Sequence, residues 1–217
     1  MTTSPTTSTR TDRPAALADA AIAVIGRSGM RALTHRAVDT AAGVPSGTTS
    51  YHFRTRRELL RGILNRIADR NIERLDQPGP PTVEPAAPGN RADRIAEANV
   101  LAARCAAFVD GQLTTERTAT LARMAIEIEV ASDPELREIL HAGDRFRTMA
   151  IDAVGRLGSV NPAADANALI AFLDGLQFDR LVGTGSLLCA PAGTDTGRNE
   201  IAAAVRAFLI GIIPEKH

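Results

Sequence analysis

The residues whose types and spacing could do chemistry gather in Leu33–Phe53, LTHRAVDTAAGVPSGTTSYHF, and just beyond it. Thr34, His35 and Arg36 come first. A run of small residues follows, Pro45, Ser46, Gly47, Thr48 and Thr49, and then Tyr51, His52, Arg54 and Arg56. Hydroxyls, imidazoles and guanidiniums are hydrogen-bonding partners for phosphate oxygens and base edges, and side chains this small let a backbone approach bases closely. Catalysis is not what the set offers. The chain has no nucleophile–base pairing, no metal spacing and no phosphate loop, so no enzyme, metal or cofactor is expected. His35 and His52 have no Cys or acid at ligand spacing, which leaves phosphate or base contact against plain solvent exposure. Glu127 and Glu129 lie two apart on one helix, about 200° around it, and cannot share a pocket. Glu129 alone could enter an apolar cavity, or it could be a solvated glutamate.

The formal charge is balanced, with 25 basic and 25 acidic residues, but unevenly spread. Residues 1–77 hold 12 Arg and 7 acids, a net of +5, and the remainder is net −5. A basic head on an acidic body suits a protein that contacts DNA through one end only. Nearly all the positive charge is guanidinium, since Lys216 is the only lysine. Cys105 and Cys189 lack paired spacing, no apolar run has membrane-spanning length, and a soluble cytoplasmic protein is expected.

The elements that must position these residues are all helical. Pro14 opens a first helix with Leu17, Ala20, Ala21, Val24 and Ile25 on one stripe. Leu33 acts as a hydrophobic staple and Thr34 as N-cap of a second helix to Ala42, with Ala37, Val38, Ala41 and Ala42 inward. Gly43 makes the turn and Pro45 opens a short third helix. Thr55 and Glu58 form a capping box for a long fourth helix to about Leu75. The Pro-rich stretch 76–90 reads as a linker after a head of residues 12–75, with residues 1–11 a disordered arm. Residues 91–217 read as a helical body. In it Asp133-Pro134 opens a helix through Phe146 to about Leu157, GTGSLLCAPAGTDTG is loop, and a last helix spans about Asn199–Ile212. No alternating strand pattern occurs, and the chain is all-α.

A helix, then LTHRAVDTAAGVPSGTTSYHFRTRRELL, then a long helix resembles the tetracycline-repressor (TetR) family of bacterial transcriptional regulators over roughly residues 12–75. The motifs carrying the resemblance are AAGV, a Gly two residues past the Pro, HF, and R-T-R-x-E-L-L. The resemblance implies a three-helix helix-turn-helix DNA-binding domain, joined by the long fourth helix to a C-terminal helical ligand-binding and dimerisation bundle. It implies a homodimer whose last two helices form the interface, and a small-molecule effector that changes the spacing of the DNA-binding heads. Carried over by position, Thr34 and Arg36 meet phosphates, Pro45 to Thr49 face bases with Thr48 the direct reader, and His52, Arg54 and Arg56 grip the backbone. Three positions depart from the pattern. Asp39 stands where the family has alanine, Thr49 where it has a larger aliphatic, and Ser50 where it has a phosphate-binding tyrosine. Tyr51 lies about 100° further around the helix and does not inherit that role. Asp39 would either cap the third helix or pair with an arginine.

For the body, the effector pocket is expected around Phe108, Met124, Ile128, Glu129, Phe146, Phe172 and Leu176. The dimer interface is expected at Gln177, Asp179, Arg180, Val205, Phe208 and Leu209. Gln177, Asp179 and Arg180 could instead be the wet face of an amphipathic helix, but Gly175 and Gly183 on the same helix would permit close approach of a partner. The expected function is a dimeric, sequence-specific DNA-binding transcriptional regulator, a repressor released from an inverted-repeat operator by a small molecule. The alternatives are a helical small-molecule-binding protein or enzyme with a vestigial DNA-binding head, or an architectural bundle.

Overall fold

The computed structural model describes residues 13–75 and 90–215, with only the backbone of residues 141–144. The expected N-terminal arm and all but the last residue of the expected linker lie outside the described residues. The protein is all-α, with no strand among the described residues. Its helices are α1 Arg13–Ser28, α2 His35–Ala42, α3 Thr48–His52, α4 Arg56–Leu75, α5 Arg91–Leu113, α6 Arg117–Ala131, α7 Asp144–Arg156, α8 Pro162–Leu181, α9 Gly185–Leu188 and α10 Asp195–Gly211. Two 3-10 segments, Met30–Ala32 and Pro134–Gly143, intervene. None of the described helices is long and apolar enough to cross a membrane.

Short-range sequence signals account for most boundaries. Thr34 caps α2 by accepting from the Ala37 N–H at 3.1 Å, and Gly43 ends it in the left-handed region at φ 64°. Glu58 accepts from the Arg54 and Thr55 N–H groups while its own N–H donates to the Thr55 hydroxyl, which is the expected capping box. Asn90 and Asn161 cap α5 and α8.

Five expectations need correction. α3 begins at Thr48, not Pro45, because Gly47 sits at φ 94° and turns residues 45–47 out of helix. Within α2, Ala41 is exposed and Asp39 is buried in its stead. The helix expected from Pro134 is a 3-10 segment to Gly143 before α7 starts, with glycine, a poor helix former, at the junction. Part of the expected loop after α8 forms the single turn α9, and α10 starts four residues early because Thr194 caps it through the Gly197 N–H.

The chain forms two compact units. Of the described residues, one takes those up to Arg70 together with Leu121–Ala142, and the other takes those in Asn71–Thr120 and from Gly143 on. The first therefore includes most of α6, which the linker-based division would have placed in the body. In this unit α1 packs on α2 and buries Leu17, Ala21 and Ile25. Leu33, Val38, Leu59, Leu60, Ile63 and Ile67 complete the core, each burial worth roughly 1.5–3 kcal/mol. In the second unit α5 lies along α10, and α7 packs on α8. Its core joins Ala98, Ala102, Ala106 and Val109 to Ile201, Val205 and Leu209.

Candidate nucleic-acid surface and ligand cavity

The α2–turn–α3 segment is held from within by a buried carboxylate. Asp39 accepts from the Gly47 N–H at 2.7 Å through Oδ2, and from the Thr49 N–H at 2.7 Å and the Thr49 hydroxyl at 2.5 Å through Oδ1. It thus satisfies N–H groups at the start of α3 that a helix leaves unpaired. Burial alone would raise the Asp39 pKa. The hydrogen bonds from Thr49 and Gly47, with the nearby His35, outweigh it and hold the carboxyl below the ordinary aspartate value. Of the two readings for Asp39, capping is what occurs. The departures at Asp39 and Thr49 are one feature, since each supplies the other's polar partner.

Thr49 is 0% exposed, so it leaves the set of residues able to face bases and belongs to the scaffold. His35 is half-buried and its Nε2 lies 2.7 Å from the Phe53 carbonyl. A carbonyl only accepts, so that nitrogen carries the proton and the ring ties α2 to the end of α3. Thr34, Arg36, Pro45, Ser46, Gly47, Ser50, Tyr51 and Arg54 are exposed, and Thr48 and His52 are half-exposed. The Thr48 hydroxyl donates to the Pro45 carbonyl at 2.6 Å, leaving its lone pairs and methyl group for outside contacts. Tyr51 is 79% exposed and meets the His52 ring edge-on at 5.1 Å between centroids.

Arg56 is engaged elsewhere. Its Nε and Nη2 donate to Glu129 Oε1 at 2.9 and 2.7 Å, and its Nη1 to the Leu33 carbonyl at 3.2 Å. Glu129 is therefore a partner of the α4 start. Arg61 is a residue that sequence reasoning missed: with Tyr51, His52 and Arg54 it edges an open groove between α3 and α4. Its signal was the spacing from Glu58, one helical turn along the same face. Among the described residues, no three His, Cys, Asp or Glu side chains gather as a metal site would require.

The second unit contains a cavity of about 250 Å³. Leu101, Arg104, Cys105 and Phe108 of α5 line it at i, i+3, i+4 and i+7, and α7 contributes Phe146, Met149, Ala150, Asp152, Ala153 and Arg156. Leu75 of α4 and Leu169, Ile170 and Leu173 of α8 complete the wall. The Phe108 and Phe146 centroids lie 5.5 Å apart with planes 32° from parallel. Of the expected pocket residues only these two line the cavity. Ile128 is 65% exposed, Met124 is buried but off the lining, Phe172 stacks on Phe208 at 5.4 Å, and Leu176 is half-buried outside it. The periodicity identified apolar positions, but not which helix edges stand apart.

The expected interface residues are mostly used within the chain. Gln177, Val205 and Leu209 are buried. Arg180 donates to Glu200 at 3.0 Å, and Asp179 accepts from the Gly185 N–H at 3.1 Å to hold α9. Among the exposed positions of α8 and its C-cap, Ala168, Ala171, Gly175, Phe178 and Val182 recur at alternating spacings of three and four, while Ala163, Ala164, Asn167 and Asp179 are exposed beside them. On α10, Ala203, Ala207 and Gly211 are exposed, and on α9 Leu187 and Leu188 are 85% and 82% exposed.

Comparisons with known proteins agree with this arrangement. The sequence pattern described as "Bacterial regulatory proteins, tetR family" matches residues 17–63, and "Tetracyclin repressor-like, C-terminal domain" matches residues 96–214. Comparison with curated proteins gave no match. Among solved structures, a TetR-family member from Streptomyces coelicolor A3 is similar at TM-score 0.63 and 25% identity, covering 94% of this chain and 99% of that one. A transcriptional regulator from Rhodococcus sp. Rha1 is similar at TM-score 0.64 and 24% identity, over 92% and 95%. The multidrug binding protein EbrR, complexed with malachite green, is similar at TM-score 0.59 and 26% identity, over 94% and 99%.

Proposed function

This chain belongs to the tetracycline-repressor family of bacterial regulatory proteins, and from that premise we propose a dimeric transcriptional repressor released from an inverted-repeat operator by a small molecule. The observation that carries the reading is the exposed array on α2, the turn and α3. Arg36, Ser46, Thr48, Tyr51, His52 and Arg54 present hydroxyls, an imidazole and guanidiniums from α2, the turn, a short helix pinned at its start by Asp39 and the residues just after it. Thr48 and its small neighbours meet base edges, while Thr34, Arg36, Arg54 and Arg61 meet phosphates. Residues 12–75 act as the DNA-binding head, and the protein works in the cytoplasm, where its operator is.

Dimerisation supplies the second head. The exposed stripe on α8 has the alternation of a helix-packing seam, and its small residues allow backbones to approach closely. A twofold dimer addressing successive major grooves, about 34 Å apart, calls for an inverted repeat. The cavity of the second unit is the effector site. The multidrug binding protein EbrR was solved in complex with ethidium and with malachite green, which supports reading this aromatic-lined cavity as a ligand site. Phe108 and Phe146 are its central lining residues, and Leu101, Cys105, Met149 and Leu173 join them.

A mobility-shift and footprinting experiment on the DNA upstream of the coding sequence tests the proposal. Protection of a short inverted repeat, with affinity falling steeply as salt rises, is expected. No preference over random DNA at moderate salt would remove it.

A further inference from the structure

We propose that the effector is a compact, flat, apolar molecule carrying a single anionic group such as a carboxylate, its rings against Phe108 and Phe146 and its charge at Arg104. This rests on the reading of the cavity as the effector site.

The cavity wall contains no hydroxyl, amide or imidazole side chain. A sugar, nucleoside or polyol buried there would leave its own hydroxyls without partners, at a cost that apolar burial does not offset. The buried part of the ligand is therefore hydrocarbon or aromatic, and the paired phenylalanine rings favour a planar body. At about 250 Å³ the space exceeds the roughly 150 Å³ that holds one benzene ring, so two fused rings are a suitable size.

The polar groups of the lining are three charges, Arg104, Asp152 and Arg156. Arg156 already donates to Glu97 at 2.9 Å. Asp152 makes no ion pair with Arg156, although the two lie one turn apart on α7, and it stands six residues from Phe146, off the ring-bearing face of that helix. Arg104 has no ion-pair partner among the described residues and lies one turn before Phe108 on the same face of α5, so it is the charge placed to meet a ligand that rests on the paired rings. Burial pushes the Cys105 thiol up to about 11, against the lowering influence of Arg104. The thiol is therefore neutral at physiological pH and does not compete as an anion for the guanidinium. A guanidinium binds a carboxylate through paired, charge-assisted hydrogen bonds and repels a cation.

Calorimetric titration of the full-length protein with three probes of one shape tests this: 1-naphthoate, 1-naphthylmethanol and 1-naphthylmethylammonium. Naphthoate is expected to bind about tenfold tighter than the alcohol, with the ammonium weakest. Arg104→Gln, at an exposed position, should abolish the naphthoate advantage and leave alcohol binding unchanged. Equal or tighter binding of the ammonium, an unchanged preference in Arg104→Gln, or no binding of any probe would each overturn the proposal. A mobility shift on upstream DNA without ligand is run in parallel. Protein that binds DNA but not naphthoate refutes the ligand class alone, whereas protein that binds naphthoate but no DNA refutes the regulator reading alone.

Discussion

Asp39 is the residue on which the presentation of α3 depends. Its carboxylate replaces water for two backbone N–H groups and one hydroxyl, and removing it leaves buried donors unmatched. Asp39→Ala should cost about 3 kcal/mol by urea denaturation, with Thr49→Val in the same chain recovering part of it by removing one orphaned hydroxyl. Because the folded-state pKa of Asp39 lies below the ordinary value, its stabilisation is present in full above that value and is lost as pH falls through the lowered one. Unfolding midpoints measured down the acid limb should therefore fall less steeply in Asp39→Asn than in the natural chain. Residue-scale features were legible where partners are close in sequence, as with Thr34 and Ala37 or Thr55 and Glu58. Asp39 and Thr49 stand ten residues apart across a turn. Their pairing depends on the turn geometry set by Gly43 and Gly47, and sequence spacing alone did not decide it.

At the scale of elements, two features of α4 bear on how α3 is presented. Gly62 costs helix propensity, but a Cβ built there would lie 2.5 Å from the Phe53 ring, so the glycine is the seat of that ring. Gly62→Ala should lower the thermal midpoint despite alanine's better propensity, and weaken DNA binding by displacing the α3 end. An unchanged or raised midpoint in calorimetry would contradict that seat. At the start of α4, Arg56 is held by Glu129 of α6, with side chains 44% and 33% exposed. A pair that open to solvent contributes less than about 1 kcal/mol to stability, yet it withholds a guanidinium from phosphate. Glu129→Gln should leave the urea midpoint nearly unchanged and tighten DNA binding a few-fold at low salt in fluorescence anisotropy. Helix existence was legible from periodicity and caps, whereas the Arg56–Glu129 pair spans 73 positions and had no local signal. The one-turn α9, held by Asp179 through the Gly185 N–H, likewise had no signal in the periodicity.

At the scale of the whole molecule, the proposal joins two heads through α8 and α10. A Cβ at Gly175 meets nothing within 4 Å in the single chain, so Gly175→Trp should fold normally yet obstruct close helix approach. Sedimentation should show a monomer with unchanged helicity and greatly weakened binding to the full inverted repeat; an intact dimer would place the interface elsewhere. The all-α architecture and the motif were legible because they follow from residue periodicity and local caps. The cavity and the free helix faces were less so, since apolar residues such as Val205 and Leu209 look alike in sequence whether they face their own core or a partner. The central claim is that the exposed α2–α3 surface reads DNA. Its most direct test is salt-dependent anisotropy on the operator and on scrambled DNA, for the natural protein, Thr48→Ala and Arg54→Ala. Thr48→Ala should lose operator preference by about 1 kcal/mol or more with an unchanged salt slope, while Arg54→Ala should weaken both DNAs alike and shallow the slope by about one. Equal effects of the two substitutions on preference, or no operator preference in the natural protein, would contradict the account.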